Sequence, residues 1–253
     1  MEAAVPISDS TEPDVACGFN AFPGGVAAWV CALLQASDSF YPTGSYAHSY
    51  GLEGLVGAGV VRDRETLHTF LFSTALPALE NVDLPLAAHA WRALADGSWD
   101  QIGELARWSA ALKTARESRL ASENIGRQRA ELAARIHPDS LAVEYLRRAT
   151  AAGWPFAAPI SAALEGRITG APLDAVLAAF SYSTLAGLIA AAMKLLRIGQ
   201  NSAQTLLAES LAAVPSLVAH AAATPPEDIG WFSPWLEIAA ARHESADARM
   251  FIS

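Results

Sequence analysis

The chain has 253 residues, of which 52% are apolar and 17% charged, with a mean hydropathy of +0.24. Globular domains carry about 25% charged residues, so this composition excludes disorder over most of the length and bounds the chain to one large domain or two small ones. The net charge of −9 is the opposite of a nucleic-acid footprint. Two cysteines, Cys17 and Cys31, exclude a disulfide scaffold and a cysteine zinc cluster.

Alanine fills 54 positions. It loses no side-chain entropy in a helix, and no useful period-2 alternation competes, so the expected fold is all-α: a single-domain helical bundle of about ten helices. Residues 1–24 contain Glu2, Asp9, Glu12, Asp14 and three prolines but no Lys or Arg, and read as a disordered acidic tail. The all-helical part is expected over 25–234, with 235–253 as its C-terminal helix and tail. Val26–Ala36 reads as a short helix, Ser37–Tyr46 as a loop, and Ala47–Leu55 as a restart. Asp63 caps Arg64–Leu79. Pro85 starts Leu84–Leu94. Trp99–Ile136 reads as one long stretch, and Asp139 or Ser140 caps a helix to Thr150. Trp154–Pro159 is a break, and no element is assigned before Pro172. Leu173–Leu196 is apolar nearly all round, the mark of a buried centre. Ile198–Ser202 is a loop, Ala203–Ala223 a helix kinked at Pro215, and Trp235–Met250 the last helix.

No positively charged segment precedes an apolar stretch, because the first basic residue is Arg62, so no signal peptide is read. The longest uninterrupted apolar run, Leu185–Met193, is too short for a bilayer. A cytoplasmic protein without membrane or nucleic-acid partners is expected. Residues 113–148 hold eight basic and five acidic residues, a local excess of 8 − 5 = +3, which reads as a solvated mixed face or as a docking surface for an acidic protein.

Chemistry-bearing patterns are sparse. His243 and Asp247 are spaced i, i+4 beside Glu244, so one helix face could offer metal ligands to an all-α enzyme, but H-E-x-x-H is not formed. His48, His68, His89, His137 and His220 are scattered. There is no G-x-S-x-G, Walker or dinucleotide loop, so no catalytic residue, metal site or cofactor is assigned, and a generic helical scaffold is the other alternative. Three polar, glycine-bearing segments stand out between the apolar helices: residues 37–54, 196–207 and 243–253. Helix capping accounts for part of the first two, with Ser37, Asp38, Thr43 and Ser45 as caps and Gly199 suited to a helix C-terminus. It does not account for a chain ending Arg249-Met250-Phe251-Ile252, because terminal apolar residues dock or aggregate.

These segments resemble the urease accessory protein F family (UreF). The resemblance rests on Ser37-Asp38-Ser39, Pro42, Gly44, His48-Ser49 and Gly51-Leu52-Glu53. It continues through a weaker central match at Glu117-Ser118-Arg119, Ala121-Ser122 and Ile125-Gly126-Arg127, then Gly199-Gln200 with Gln204 and Leu207. It ends at His243-Glu244, Arg249-Met250-Phe251 and Ser253. The segment Trp154–Pro159 departs from the family pattern, and Met250 replaces its usual leucine.

The resemblance implies a non-catalytic, dimerising, all-helical protein that bridges accessory protein D (also called H) and the GTPase UreG, and so regulates GTP-dependent nickel delivery to apo-urease. It points to His48, Ser49, Glu53, Gly199, Gln200, His243, Glu244, Arg249, Met250, Phe251 and Ser253 as partner-binding residues, and Lys194, the only basic residue on the long apolar helix before Arg197, is expected to join them where that helix surfaces. Trp235–Ser253 is expected to become ordered on the D/H partner.

Overall fold

Every regular element among the described residues, 26–244 and 249–252, is helical in the computed structural model of the chain. The expected acidic tail lies outside the described residues. If the unbroken stretch 64–96 counts as one helix, the α-helices number ten among the described residues.

Several boundaries differ from the sequence reading, each for a tertiary or steric reason. The helix expected from Ala47 starts only at Leu52. His48 is extended, and Tyr50 and Gly51 both have positive φ, +53° and +83°, so the chain turns before it can coil. Two helices expected between Arg64 and Leu94 are one stretch running to Asp96, through Pro77 and Pro85 and the two π turns Leu71–Ala75 and Leu79–Asp83. Pro85 has no N–H for the carbonyl of Asn81 four residues back. That carbonyl instead accepts from the Gly230 backbone N–H at 2.9 Å. The expected Asp63 cap is present at its start, and it is a capping box, with Asp63 and Thr66 satisfying each other's backbone N–H groups.

The stretch Trp99–Ile136 is divided into Trp99–Leu112 and Arg116–Ile136. Between them Glu237, from the last helix, accepts from the Ala115 N–H at 2.7 Å and from the Thr114 hydroxyl. A helix that the sequence reading omits, Ala158–Thr169, is among the most buried. It packs on Leu84–Asp96 and on Arg116–Ile136, and Ile160, Ala163 and Leu164 are fully buried. Leu141–Ala152 is capped by the Ser140 hydroxyl, which accepts from Ala142 N–H.

The central helix Leu173–Leu195 packs along Gln200–Ala223. Its hydroxyls Ser181, Ser183 and Thr184 each donate to the carbonyl four residues back, so polar atoms on an apolar rod are satisfied locally. Both helices are long and apolar enough to cross a membrane, at mean hydropathies of 1.8 and 1.5. The run Leu185–Met193 therefore understates them. Here they form a core pair in which Leu177, Leu185 and Leu206 are fully buried. Gln200–Ala223 starts three residues earlier than expected and continues through Pro215, with Gly199 at its N-cap rather than at a helix C-terminus.

The short helix Leu52–Gly57 and the last helix Pro234–His243 meet at backbone contact. A Cβ on Gly54 would lie 2.5 Å from the Ala239 carbonyl oxygen, and one on Gly51 would lie 2.8 Å from Leu236. The glycines of the G-L-E-G sequence thus set the distance between these helices, and Glu53 between them is aimed across the gap.

Candidate functional site

Glu53 reaches His243, whose side chain is almost entirely buried. The ring Nε2 lies 2.8 Å from Glu53 Oε2, and Nδ1 lies 2.8 Å from Glu117 Oε2. Glu117 comes from the first turn of Arg116–Ile136. Its other oxygen accepts from Arg249 Nη1 at 2.8 Å. Glu53 accepts in addition from the backbone N–H groups of Met250 and Phe251, at 2.7 and 2.9 Å. Burial alone would push the Glu53 carboxyl up, but the two backbone donors and the His243 ring outweigh it and hold the group below its usual value.

The chain end is thereby seated on its own protein. Phe251 is buried, with Lys194 Nζ 5.2 Å from its ring centroid, and Ile252 N–H donates to the Ala47 carbonyl at 2.8 Å. Glu53, Glu117 and Ala47 already supply hydrogen-bond acceptors to Arg249–Ile252 within the lone chain; the segment expected to order on a partner also includes residues 245–248 and 253, which lie outside the described residues. The last helix also ends at His243 rather than Met250, and the N–H groups of Met250 and Phe251 are taken by the Glu53 carboxylate.

Of the residues singled out in the sequence, His48, Ser49, Glu53, Lys194, His243, Glu244, Arg249, Met250 and Phe251 converge on this corner. His48 and Ser49 are buried; the Ser49 hydroxyl accepts from Glu53 N–H at 3.2 Å and so fixes the start of its helix. Burial pushes the His48 ring below its usual value, with the Glu117 charge opposing. Glu244 pairs with Arg116 at 2.7 Å. Gly199 and Gln200 are exposed at the start of their helix, and neither bonds to this group among the described residues. Ser253 lies outside the described residues, as does Asp247.

Both His243 nitrogens face carboxylates on other helices and Glu244 faces an arginine, while Asp247 of the metal-binding alternative lies outside the described residues. Among the described residues no group of three or more His, Cys, Asp or Glu side chains is arranged to hold a metal ion. Sequence reasoning did not place Glu117 and Arg116 at the site. The signal for Glu117 was present in the central Glu-Ser-Arg match.

A second polar group lies under the loop 37–46. Arg129 and Glu165 form a buried ion pair, and the Tyr41 hydroxyl donates to Glu165 at 2.9 Å. Beside it runs a cavity of about 170 Å³ whose wall includes Tyr50, Ser122, Arg129 and the Lys113–Asp83 pair, 2.8 Å apart. The basic excess of 113–148 is largely consumed within the chain: Arg147 and Arg148 share Glu144, Arg127 stacks on Phe156, and Arg116, Arg129 and Lys113 are paired as above.

Comparison with known proteins gives two findings. The family model described as UreF matches residues 61–211. The chain is 33% identical over 230 residues to the urease accessory protein UreF of Paenarthrobacter aurescens (strain TC1), an alignment covering 90% of this chain and 99% of that protein.

Proposed function

The chain belongs to the UreF family of urease accessory proteins, and from that premise we propose that it is the non-catalytic bridge between accessory protein D/H and the GTPase UreG. A member of this family serves the maturation of urease. The finer reading is that it couples GTP hydrolysis by UreG to nickel delivery into apo-urease by making different contacts in the GTP and GDP states of the assembly, which is the thermodynamic requirement for such coupling.

The observation that carries this reading is the seated C-terminus. The last helix and tail expose Trp235 (75%), Ile238 (45%), Met250 (61%) and Ile252 (65%) while Phe251 and His243 are buried beneath them. Large apolar side chains held out on a fixed backbone form a docking surface at low entropic cost. In this reading Arg249, Met250 and Ser253 contact the partner. His48, Ser49, Glu53, His243 and Phe251 hold that surface in place. Lys194, Gly199, Gln200 and Glu244 lie on the partner face. A homodimer is part of the same proposal: only 44% of the apolar window of the central helix is buried within the chain, and Tyr182 and Ala190 on it are exposed. A second copy would cover that face.

The test is removal of residues 249–253, or Arg249→Ala, in a urease operon expressed with tagged protein. Loss of copurifying D/H protein or UreG, with loss of urease activation and an unchanged helical spectrum, is the expected result. Normal copurification and activation by the truncated protein would refute the docking role. Light scattering that finds only monomer at tens of micromolar would refute the homodimer.

A further inference from the structure

The His243 ring presents two nitrogens, and each faces a carboxylate oxygen at 2.8 Å. A carboxylate only accepts, so both bonds form only when both nitrogens carry protons. A ring with one proton would set a lone pair against an oxygen of Glu53 or Glu117, beside a ring that is almost entirely buried. The charges agree with this count. Two partly buried carboxylates, Glu53 and Glu117, are balanced by Arg249 and a doubly protonated His243; a neutral ring leaves one negative charge without a counter-charge.

The same two carboxylates hold the chain end. Glu53 accepts from Met250 and Phe251 N–H, and Glu117 accepts from Arg249. We propose that His243 is a protonation-dependent clasp for the C-terminal tail: with two protons it bridges Glu53 to Glu117 and seats Arg249–Ile252, and loss of one proton loosens that seat. His243 touches none of these tail residues through the bonds described; it acts through Glu53 and Glu117, as a positioning residue.

The other ionisable groups around the ring do not supply an alternative switch. From the helix Arg116–Ile136, Arg116 is engaged by Glu244. From the loop before Leu52, burial pushes the His48 ring below its usual value, against the charge of Glu117. From the central helix, Lys194 stacks on Phe251. From the tail, Arg249 is paired with Glu117. The clasp deepens the docking reading by naming what controls the docking segment, but it stands on the lone chain's geometry.

The experiment uses the full chain alone, so its failure is separate from failure of the partner reading. Amide exchange protection of Met250 and Phe251 is measured by NMR from pH 5.5 to 9, and the His243 ring resonances are followed in the same samples. Protection of these two amides is expected to fall about tenfold or more as the ring loses its proton, the scale of one charge-assisted hydrogen bond, while core amides such as Leu185 and Ile160 hold theirs. In His243→Gln the tail amides should show no pH-dependent step. The clasp is overturned by tail protection that stays flat through the ring's titration, by a ring that keeps both protons up to pH 9, by a fall shared equally with the core amides, or by the same step in His243→Gln. If that variant does not fold, the coincidence of the two wild-type titrations still decides.

Discussion

Gly54→Ala pits two effects of opposite sign against each other in one helix. Alanine in place of an interior helical glycine gains about 1 kcal/mol of propensity. At position 54, however, the new methyl would stand 2.5 Å from the Ala239 carbonyl oxygen and 2.9 Å from its carbon. Those are backbone atoms of the opposing helix and cannot rotate away, so the helices Leu52–Gly57 and Pro234–His243 must separate by most of an ångström. Overpacking of this kind costs roughly 1–3 kcal/mol. The separation also stretches the 2.8 Å contact from Glu53 to His243, a charge-assisted bond worth about 1.5–3 kcal/mol.

The losses exceed the gain, and Gly54→Ala should destabilise the fold by about 1–3 kcal/mol, lowering Tm by roughly 2–4 °C per kcal/mol. Gly57→Ala in the same helix is the control, because its methyl would meet nothing within 4 Å; it should be neutral or stabilising by up to about 1 kcal/mol. Urea unfolding followed by tryptophan fluorescence reads both, with a shift in midpoint at constant slope marking a change in stability. A Gly54→Ala protein as stable as wild type, or two variants shifted equally, would refute the close-approach argument.

Breaking the buried pair with Arg129→Met or Glu165→Leu should cost about 3–5 kcal/mol, while the double replacement recovers most of it; a urea double-mutant cycle measures the difference. Glu53 is held below its usual value of 4.5, so it contributes stability that is present above that value and lost as pH falls through its lower folded value. The stability gap between wild type and Glu53→Gln, read from urea midpoints, should therefore be full at pH 6 and close progressively below about 4.5. Glu237→Ala removes the acceptor for Ala115 N–H and the Thr114 hydroxyl and should destabilise by roughly 0.5–2 kcal/mol, the scale of an N-cap, with early exchange of the amides at the start of Arg116–Ile136.

Much of the helical content was legible in the sequence because it is encoded locally. Asp63 and Thr66 write a capping box into four residues, Ser140 caps its own helix, and the apolar length of Leu173–Leu195 announces a central rod. The helix Ala158–Thr169 was not legible, for a related reason: its polar residues Ser161, Glu165 and Thr169 are buried along with its apolar ones, so polarity does not mark a solvent face on it. The break at Lys113–Ala115 was invisible because the carboxylate that creates it, Glu237, lies 122 residues away from Ala115. The run through Pro85 was equally hidden, since the missing donor is supplied by Gly230.

The candidate site divides along the same line. The sequence by itself marked out its parts as unusual polar stretches at 37–54 and 243–253, because their composition departs from that of the helices around them. That Glu53 and His243, 190 residues apart, share a part-buried hydrogen bond, with Glu117 completing the bridge, was decided only by the tertiary structure. A carboxylate's spacing along a chain carries no information about which distant proton donor it will face, and the two glycines beside Glu53 reveal their purpose only once the last helix lies against them.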